Sequence, residues 1–490
     1  MGVPIRLLLQ FAAGPAAFLV VYGLPFQGLS LEARLVAGVF GWMILWWMTG
    51  PIPWAITSLL PLTLFPILDV MDINQTVGMY GQTIFFWIWG TVLMGYALDR
   101  HGVARRFALW IMGLRVVGGN STRLALAFMV VCGTVSTVVS DAATVAMMMP
   151  VGLSLIRFSQ GLGKDGKIKR SNFGAFLALG ALYGAVAGGC ATIAGAPHNK
   201  LSVDILQRIT GRTLGWFEWM QVGVPIFLIS LVVFFVILRI LYPPEFQEIQ
   251  GGAEFVRQEK LKMGSLSRAE RAVMFVFGVM VALFLAPSLL ELALGSTNPF
   301  AKWTAKAFSL NVVPPAVMLL LFCTPVNLQG EKKEFVLDWR DAISNTPWDA
   351  MMLCTSATGL VGVLVEFGLS ESLGRVVGDL GLSASSLPYV SAATLGFGTN
   401  FMSGVAATAL FAGILIPAAL QIGWNPVSMA VLLPNVAIGI IMPWAGATSA
   451  TAFAFGTIEL WDMIKTGVIA TGLFVLLATT MHILLAPLLS

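Results

Sequence analysis

Charge is what this chain has least of: 28 Lys and Arg and 24 Asp and Glu among 490 residues make 11% of positions, against about 25% in ordinary soluble domains. So little polar surface does not keep a body of this size in water, and a net charge of +4 offers no basic field to a nucleic acid. Histidine is scarcer still, with only His101, His198 and His482, of which His101 and His482 read as boundary residues. Without a cluster of bases, nucleophiles or metal ligands at one depth, the chain does not read as an enzyme, and no cofactor is implied. Cys132, Cys190, Cys323 and Cys354 stand singly in apolar runs, without CxxC or Cys/His spacing. That pattern excludes a zinc site and a disulfide frame, and all four read as small buried hydrophobes. No small-residue cleavage site follows the apolar run 7–24 behind Arg6, so this segment reads as a membrane span and not as a signal peptide.

What the chain does have is apolar length: 57% of its residues are hydrophobic. A membrane helix needs about 20 mostly apolar residues. Eleven candidate spans fall near 7–24, 33–49, 53–71, 84–99, 173–194, 220–242, 271–289, 308–324, 348–367, 428–446 and 465–488. Two further apolar stretches, 124–156 and 385–422, are interrupted by Ser140-Asp141-Ala142 and Ser403-Gly404-Val405 and read as re-entrant hairpins. With the N-terminus cytoplasmic and the C-terminus outside, the inner segments hold 21 of the 28 basic residues, as the positive-inside rule requires. The many Trp and Phe, including Trp46, Trp47, Trp54, Trp87 and Trp89, read as interfacial anchors and packing.

The two halves echo one another. Pro51-Ile52-Pro53 answers Val313-Pro314-Pro315, Ser140-x-x-Ala143-Thr144 answers Ser403-x-x-Ala406, and the Gly102 turn answers Gly368, at offsets of 262, 263 and 266. An odd number of crossings separates equivalent points, so the copies face opposite ways, the inverted-repeat plan of many secondary transporters. The expected division is an N-terminal span over 1–32, a first repeat over 33–242 with hairpin 124–156 and broken helix 173–207, a linker over 243–270, and a second repeat over 271–490 with hairpin 385–422 and broken helix 428–457. The breaks lie at Gly188 to Asn199 and Met442 to Thr451. Non-helical backbone at membrane depth is tolerated only when enclosed in protein or lining a wet cavity. Half-helix N-termini suit anions and orphan carbonyls suit sodium. Against this stands close packing of small residues, common among membrane helices.

The tip Ser140-Asp141-Ala142-Ala143-Thr144-Val145-Ala146-Met147-Met148-Met149-Pro150 resembles the divalent anion/sodium symporter family, whose first tip reads Ser-Asn-Thr before a Met-rich run ending in proline. Arg105-Arg106-Phe107-Ala108-Leu109, Gly118-Gly119-Asn120-Ser121-Thr122-Arg123-Leu124, Phe217-Glu218-Trp219-Met220-Gln221-Val222-Gly223 and Asp462-Met463-Ile464-Lys465-Thr466-Gly467 are similar to it as well. The resemblance implies an all-α polytopic fold of about eleven helices plus two re-entrant hairpins in the lipid bilayer, a homodimer, and a scaffold along which a transport domain slides like an elevator. It also implies residue roles. One sodium site takes Ser136, Ser140, Asp141 and Gly195, and the other Thr399, Met402, Gly404 and Ala447. The substrate touches Ser140, Asp141, Ala142, Pro197, His198, Asn199, Ser403, Gly404, Val405 and Ser449-Ala450-Thr451.

Departures from the family pattern sit at the same places: Asp141 and Gly404 replace the tip asparagines, His198 replaces the second proline of Pro-Pro-Asn, and the glycine-rich turn near Cys354-Thr355-Ser356 is missing. Asp141 admits three readings: a helix N-cap, a charged sodium ligand, or a proton carrier. His198 is expected near Asp141, as a packed residue or as a counter-charge. The leading expectation is a plasma (inner) membrane symporter that moves a small divalent anion, a dicarboxylate, with sodium. Alternatives are proton-coupled or exchange transport of another anion such as sulfate, a pore, or a membrane-embedded enzyme.

Overall fold

A computed structural model describes residues 5–24, 29–162, 167–295, 297–327 and 333–489. Apolar runs become helices whose ends are set by local chemistry. Ser30, Asn120 and Ser171 accept hydrogen bonds from first-turn amides of Leu31–Thr49, Ser121–Ser136 and Asn172–Gly189. Ser267 and Glu270 close a reciprocal cap on Arg268–Leu294. Gly102 and Gly368, at φ of +74° and +70°, turn the chain into the amphipathic helices Val103–Met112 and Leu369–Asp379.

The second half repeats the first, element for element. Thr83–Arg100, Val103–Met112, Ser121–Ser136, Asp141–Ser159, Asn172–Gly189, Pro197–Thr210 and Trp216–Leu241 are answered by Trp348–Glu366, Leu369–Asp379, Leu387–Gly398, Gly404–Ile422, Pro426–Val436, Ala447–Ala454 and Leu460–Leu485. Two helix-turn-helix hairpins therefore have their tips at residues 137–140 and 399–403, and two broken helices have non-helical loops at 190–196 and 437–446.

Among the described residues nine helices are long and apolar enough to cross a membrane, and two of them are the second arms of the hairpins. Several expected spans are shorter than the hydropathy suggested. The 53–71 stretch is split into Trp54–Thr57 and Leu60–Ile67, and 308–324 holds only Val313–Cys323. Prolines explain both: Pro53, Pro61 and Pro66 punctuate the first, and Pro314 and Pro315 start the second. A small antiparallel pair, Pro325–Asn327 with Glu334–Phe335, follows.

Burial sorts the helices into a core and a rim. Asn172–Gly189 is buried almost throughout, whereas Ile5–Gly23 leans on Leu31–Thr49 and has only Gly14 fully buried. The core contact of Ser121–Ser136 with Asn172–Gly189 is a small-residue seam: a Cβ on Gly188 would strike the Gly133 carbonyl, and one on Gly184 the Met129 carbonyl. Tyr183 donates to Thr466 Oγ1 at 2.6 Å across the repeats. At the adjoining ends, Arg170 and Tyr242 both donate to Asp462 Oδ1, at 2.8 and 2.7 Å. Two expectations are corrected. Cys323 is exposed while the other three cysteines are buried. His482, read as a boundary residue, is fully enclosed, its Nε2 lying 3.2 Å from Asn435 Nδ2.

Gly188→Leu is expected to destabilise the protein by on the order of 1–3 kcal/mol through overpacking. Thermal unfolding in detergent checks it against Gly278→Leu, where nothing lies within 4 Å and no change is expected.

Candidate functional site

Each break is held open by the same bond. Asn199, in the first turn of Pro197–Thr210, donates to the Gly189 carbonyl at 2.8 Å and to the Thr192 carbonyl at 2.9 Å. Ser449, in the first turn of Ala447–Ala454, donates to the Gly439 carbonyl at 2.7 Å. In both repeats a side chain just inside the half-helix reaches the glycine carbonyl ten residues earlier, closing the loop on itself. Backbone groups that lost helical partners thus regain some of them without water.

Each loop is then pinned to the tip of its own repeat. In the first, Thr192 Oγ1 donates to the Thr137 carbonyl at 2.5 Å and accepts from the Ala194 amide at 3.1 Å. Ser136 donates to Asp141 Oδ1 at 2.9 Å. The same carboxylate lies where a Cβ on Gly189 would be, and Gly195 folds tightly onto the Gly189 backbone. Ser136, Asp141 and Gly195 are therefore brought to one place, through Gly189.

In the second repeat, Thr399 Oγ1 accepts from the Gly439 amide at 3.3 Å, and Asn400 Oδ1 accepts from the Ile441 amide at 2.9 Å. Gly439, at φ of +47°, lets the loop bend against the Thr399 carbonyl. Gly404 lies against the Ala437 carbonyl. Met402 is buried, whereas Ala447 is exposed at the first turn of its half-helix, its carbonyl accepting from Thr451 Oγ1 at 2.7 Å. Asn400 was missed from sequence. It occupies the position equivalent to Thr137, and a buried amide beside a repeated tip was the available signal.

The half-helices cross over between repeats. Pro197–Thr210 packs along Gly404–Ile422, and Ala447–Ala454 packs along Asp141–Ser159. This crossing brings His198 to the second tip. Its ring sits over the second tip, the nearest atom 3.7 Å from where a Cβ on Gly404 would stand, and it faces the Pro434 carbonyl, while Asp141 has Ser136 and Gly189.

Four helix N-termini begin at these tips and breaks. Ser403 caps one by accepting from the Ala406 amide at 3.1 Å. Behind Ser140, Ala196 and Gly446 no side chain caps the helix, and an uncapped helix N-terminus is a place that suits an anion. Asp141 is accordingly not the N-cap. Ser140 holds that position and Asp141 is the first helical residue. Ser140, Ala194 and Pro197 line a narrow cleft closed by Trp87, Ile88 and Thr91 of Thr83–Arg100. Ala142, Val405 and Thr451 are partly exposed around the tips and the second half-helix. Among the described residues no three His, Cys, Asp or Glu side chains gather, so a cation here would meet carbonyls, hydroxyls and one carboxylate, the oxygen donors that suit a hard ion.

With this geometry in place, similarity to known proteins is informative. The family described as the sodium:sulfate symporter transmembrane region matches residues 6–489. A protein named sodium-dependent dicarboxylate transporter SdcS from Staphylococcus saprophyticus is 27% identical over 468 residues, 94% of this chain and 88% of the relative. Its counterpart in Staphylococcus aureus is 27% identical over 469 residues, covering 94% and 87%. Two solved transporters share the fold: MtrF of Neisseria gonorrhoeae, with a TM-score of 0.54 and 15% identity over 86% of this chain and 83% of that one, and YdaH of Alcanivorax borkumensis, with a TM-score of 0.53 and 12% identity over 86% and 88%.

Asn199→Leu leaves the Gly189 and Thr192 carbonyls without their donor. It is expected to cost about 1–3 kcal/mol of stability, read as a lower unfolding midpoint in detergent. Ser449→Ala removes one bond in place of two and is expected to cost less.

Proposed function

The chain belongs to the sodium:sulfate symporter family, and from that premise we propose that it is a secondary active symporter that carries a small divalent anion, a dicarboxylate, into the cell with sodium. One observation carries the reading: two oxygen-lined tip-and-loop clusters, one per repeat, lie beside four helix N-termini, three of which no side chain caps. The names of the SdcS relatives support dicarboxylate and sodium as the transported pair.

In this reading the first sodium ion sits among Ser136, Ser140, Asp141 and Gly195, and the second among Thr399, Met402, Gly404 and Ala447. The anion lies between them, against Ser140-Asp141-Ala142, Pro197-His198-Asn199, Ser403-Gly404-Val405 and Thr451. The hairpins and broken helices move as one body along a scaffold in an elevator motion, and the protein works as a homodimer in the plasma membrane. Its repeats over 33–242 and 271–490 are joined by a cytoplasmic linker over 243–270, with the N-terminus inside and the C-terminus outside. Asp141 also supports a second reading, since a carboxylate at the ion site accepts a proton as well as sodium, which would make the coupling ion a proton.

Uptake of succinate, malate, citrate and sulfate into proteoliposomes, under separate sodium and proton gradients, decides between these. Succinate and malate uptake driven by sodium is the expected result. Uptake driven by the proton gradient with sodium inert establishes the proton reading, and no uptake of any of the four rejects the substrate class. Asp141→Asn is expected to raise the sodium concentration for half-maximal uptake about tenfold, the effect of one lost charge-assisted contact of about 1.4 kcal/mol. Asp141→Lys is expected to abolish transport.

A further inference from the structure

The segment 243–270 between the repeats is bonded along its length to the first hairpin and to the helix before it. Its start is stitched to the hairpin's entry: the Ser121 amide and hydroxyl donate to the Gln247 and Phe246 carbonyls at 3.0 and 2.5 Å, and the Ile249 amide donates to the Gly119 carbonyl at 2.8 Å. Its middle, the helix Gly252–Lys262, places Phe255 on Phe158, with ring centroids 4.4 Å apart and planes 23° from parallel. Its end is clamped by Arg106, which donates to both oxygens of Glu270 at 2.6 and 3.1 Å and to the carbonyls of Gly264, Met263 and Ser265 at 2.9, 3.2 and 3.4 Å.

Glu270 is almost fully buried, so the bidentate pair with Arg106 is a strong, directional contact. Gly264, at φ of +62°, permits the tight turn that presents three carbonyls to one guanidinium. The clamp fixes where the linker helix ends, and that fixes Phe255. Phe158, against which Phe255 stacks, lies in the last turn of Asp141–Ser159, the 19-residue helix that begins at the first tip. Its two ends are about 28 Å apart. The helix runs unbroken through Pro150, which removes one backbone hydrogen bond at its middle, so support at its base adds to the rigidity with which its first turn is held.

We propose that the cytoplasmic linker is a prop for the first hairpin, with Arg106 and Phe255 as positioning residues that hold Asp141 in register with Ser136 and Gly189. The proposal rests on the reading of that cluster as a sodium site. Neither residue touches the ion. Each acts through the helix whose far end carries Asp141.

The test uses the full chain in proteoliposomes, with succinate uptake measured against sodium concentration. Phe255→Ala and Arg106→Gln are expected to raise the half-saturating sodium concentration about threefold or more. Phe255→Tyr is expected to restore it, and Arg106→Lys to restore it only in part, because an ammonium cannot bind both Glu270 oxygens and three carbonyls. Hydrogen exchange of the amides at 141–146 is expected to quicken in Phe255→Ala. A merely structural role would lower the unfolding midpoint and the maximal rate, leaving sodium dependence and tip exchange as in the parent, and that result overturns the proposal. Asp141→Asn separates the two layers. If it shifts sodium dependence and the linker variants do not, the prop is wrong and the ion site stands. If Asp141→Asn also leaves sodium dependence unchanged, both fall together.

Discussion

The structure depends on how a helix is stopped in the middle of a low-dielectric body. Interrupting a helix there frees amides and carbonyls that in hydrocarbon cost several kcal/mol each. Asn199 and Ser449 meet that constraint by reaching back to Gly189 and Gly439, so the loops are held from within. The same loops are tied to the tips through Thr137, Thr399 and Asn400. A tip-and-loop region made largely of main chain follows from the way the breaks are stabilised.

The crossing of the half-helices gives this site its division of labour. Loop and tip pair within a repeat, so each tip-and-loop cluster belongs to one half of the chain. The half-helix leaving each loop lies along the hairpin of the other half, so a ligand resting on the helix N-termini touches both. An anion held in that way is sensed by both hairpins at once. Under the symport reading, a duplicated sequence thereby makes two local cation clusters and one shared anion seat.

Much of this was legible in the residues. Apolar runs, the Gly and Pro interruptions and the near-constant offset between halves pointed to hairpins and breaks, because the energetic penalty for irregular backbone in a membrane leaves a compositional mark. Long-range geometry left no such mark. That the half-helix carrying His198 also reaches the second tip at Gly404 could not be read from its place in the first repeat. Asn400 was passed over inside an apolar hairpin, since its role depends on a loop 41 residues away. The 53–71 stretch had a span's hydropathy and not a span's continuity, and His482 lay in a helix whose neighbours, not its own pattern, bury it.

The two repeats are alike in backbone and unlike in charge, and the difference bears on the order of events. Where the first tip has Asp141, the second has Gly404 against a carbonyl. A dianion approaching an unneutralised Asp141 would bring three negative charges into a region with few mobile dipoles, where repulsion is far stronger than in water. Under the symport reading, a cation at Ser136 and Asp141 removes one of those charges before the anion arrives. The second cluster has no carboxylate of its own, so its cation gains most once the anion is present. Under the symport reading, the first repeat binds its cation ahead of the anion and the second retains its cation with it, and that sequence makes movement of either alone unfavourable.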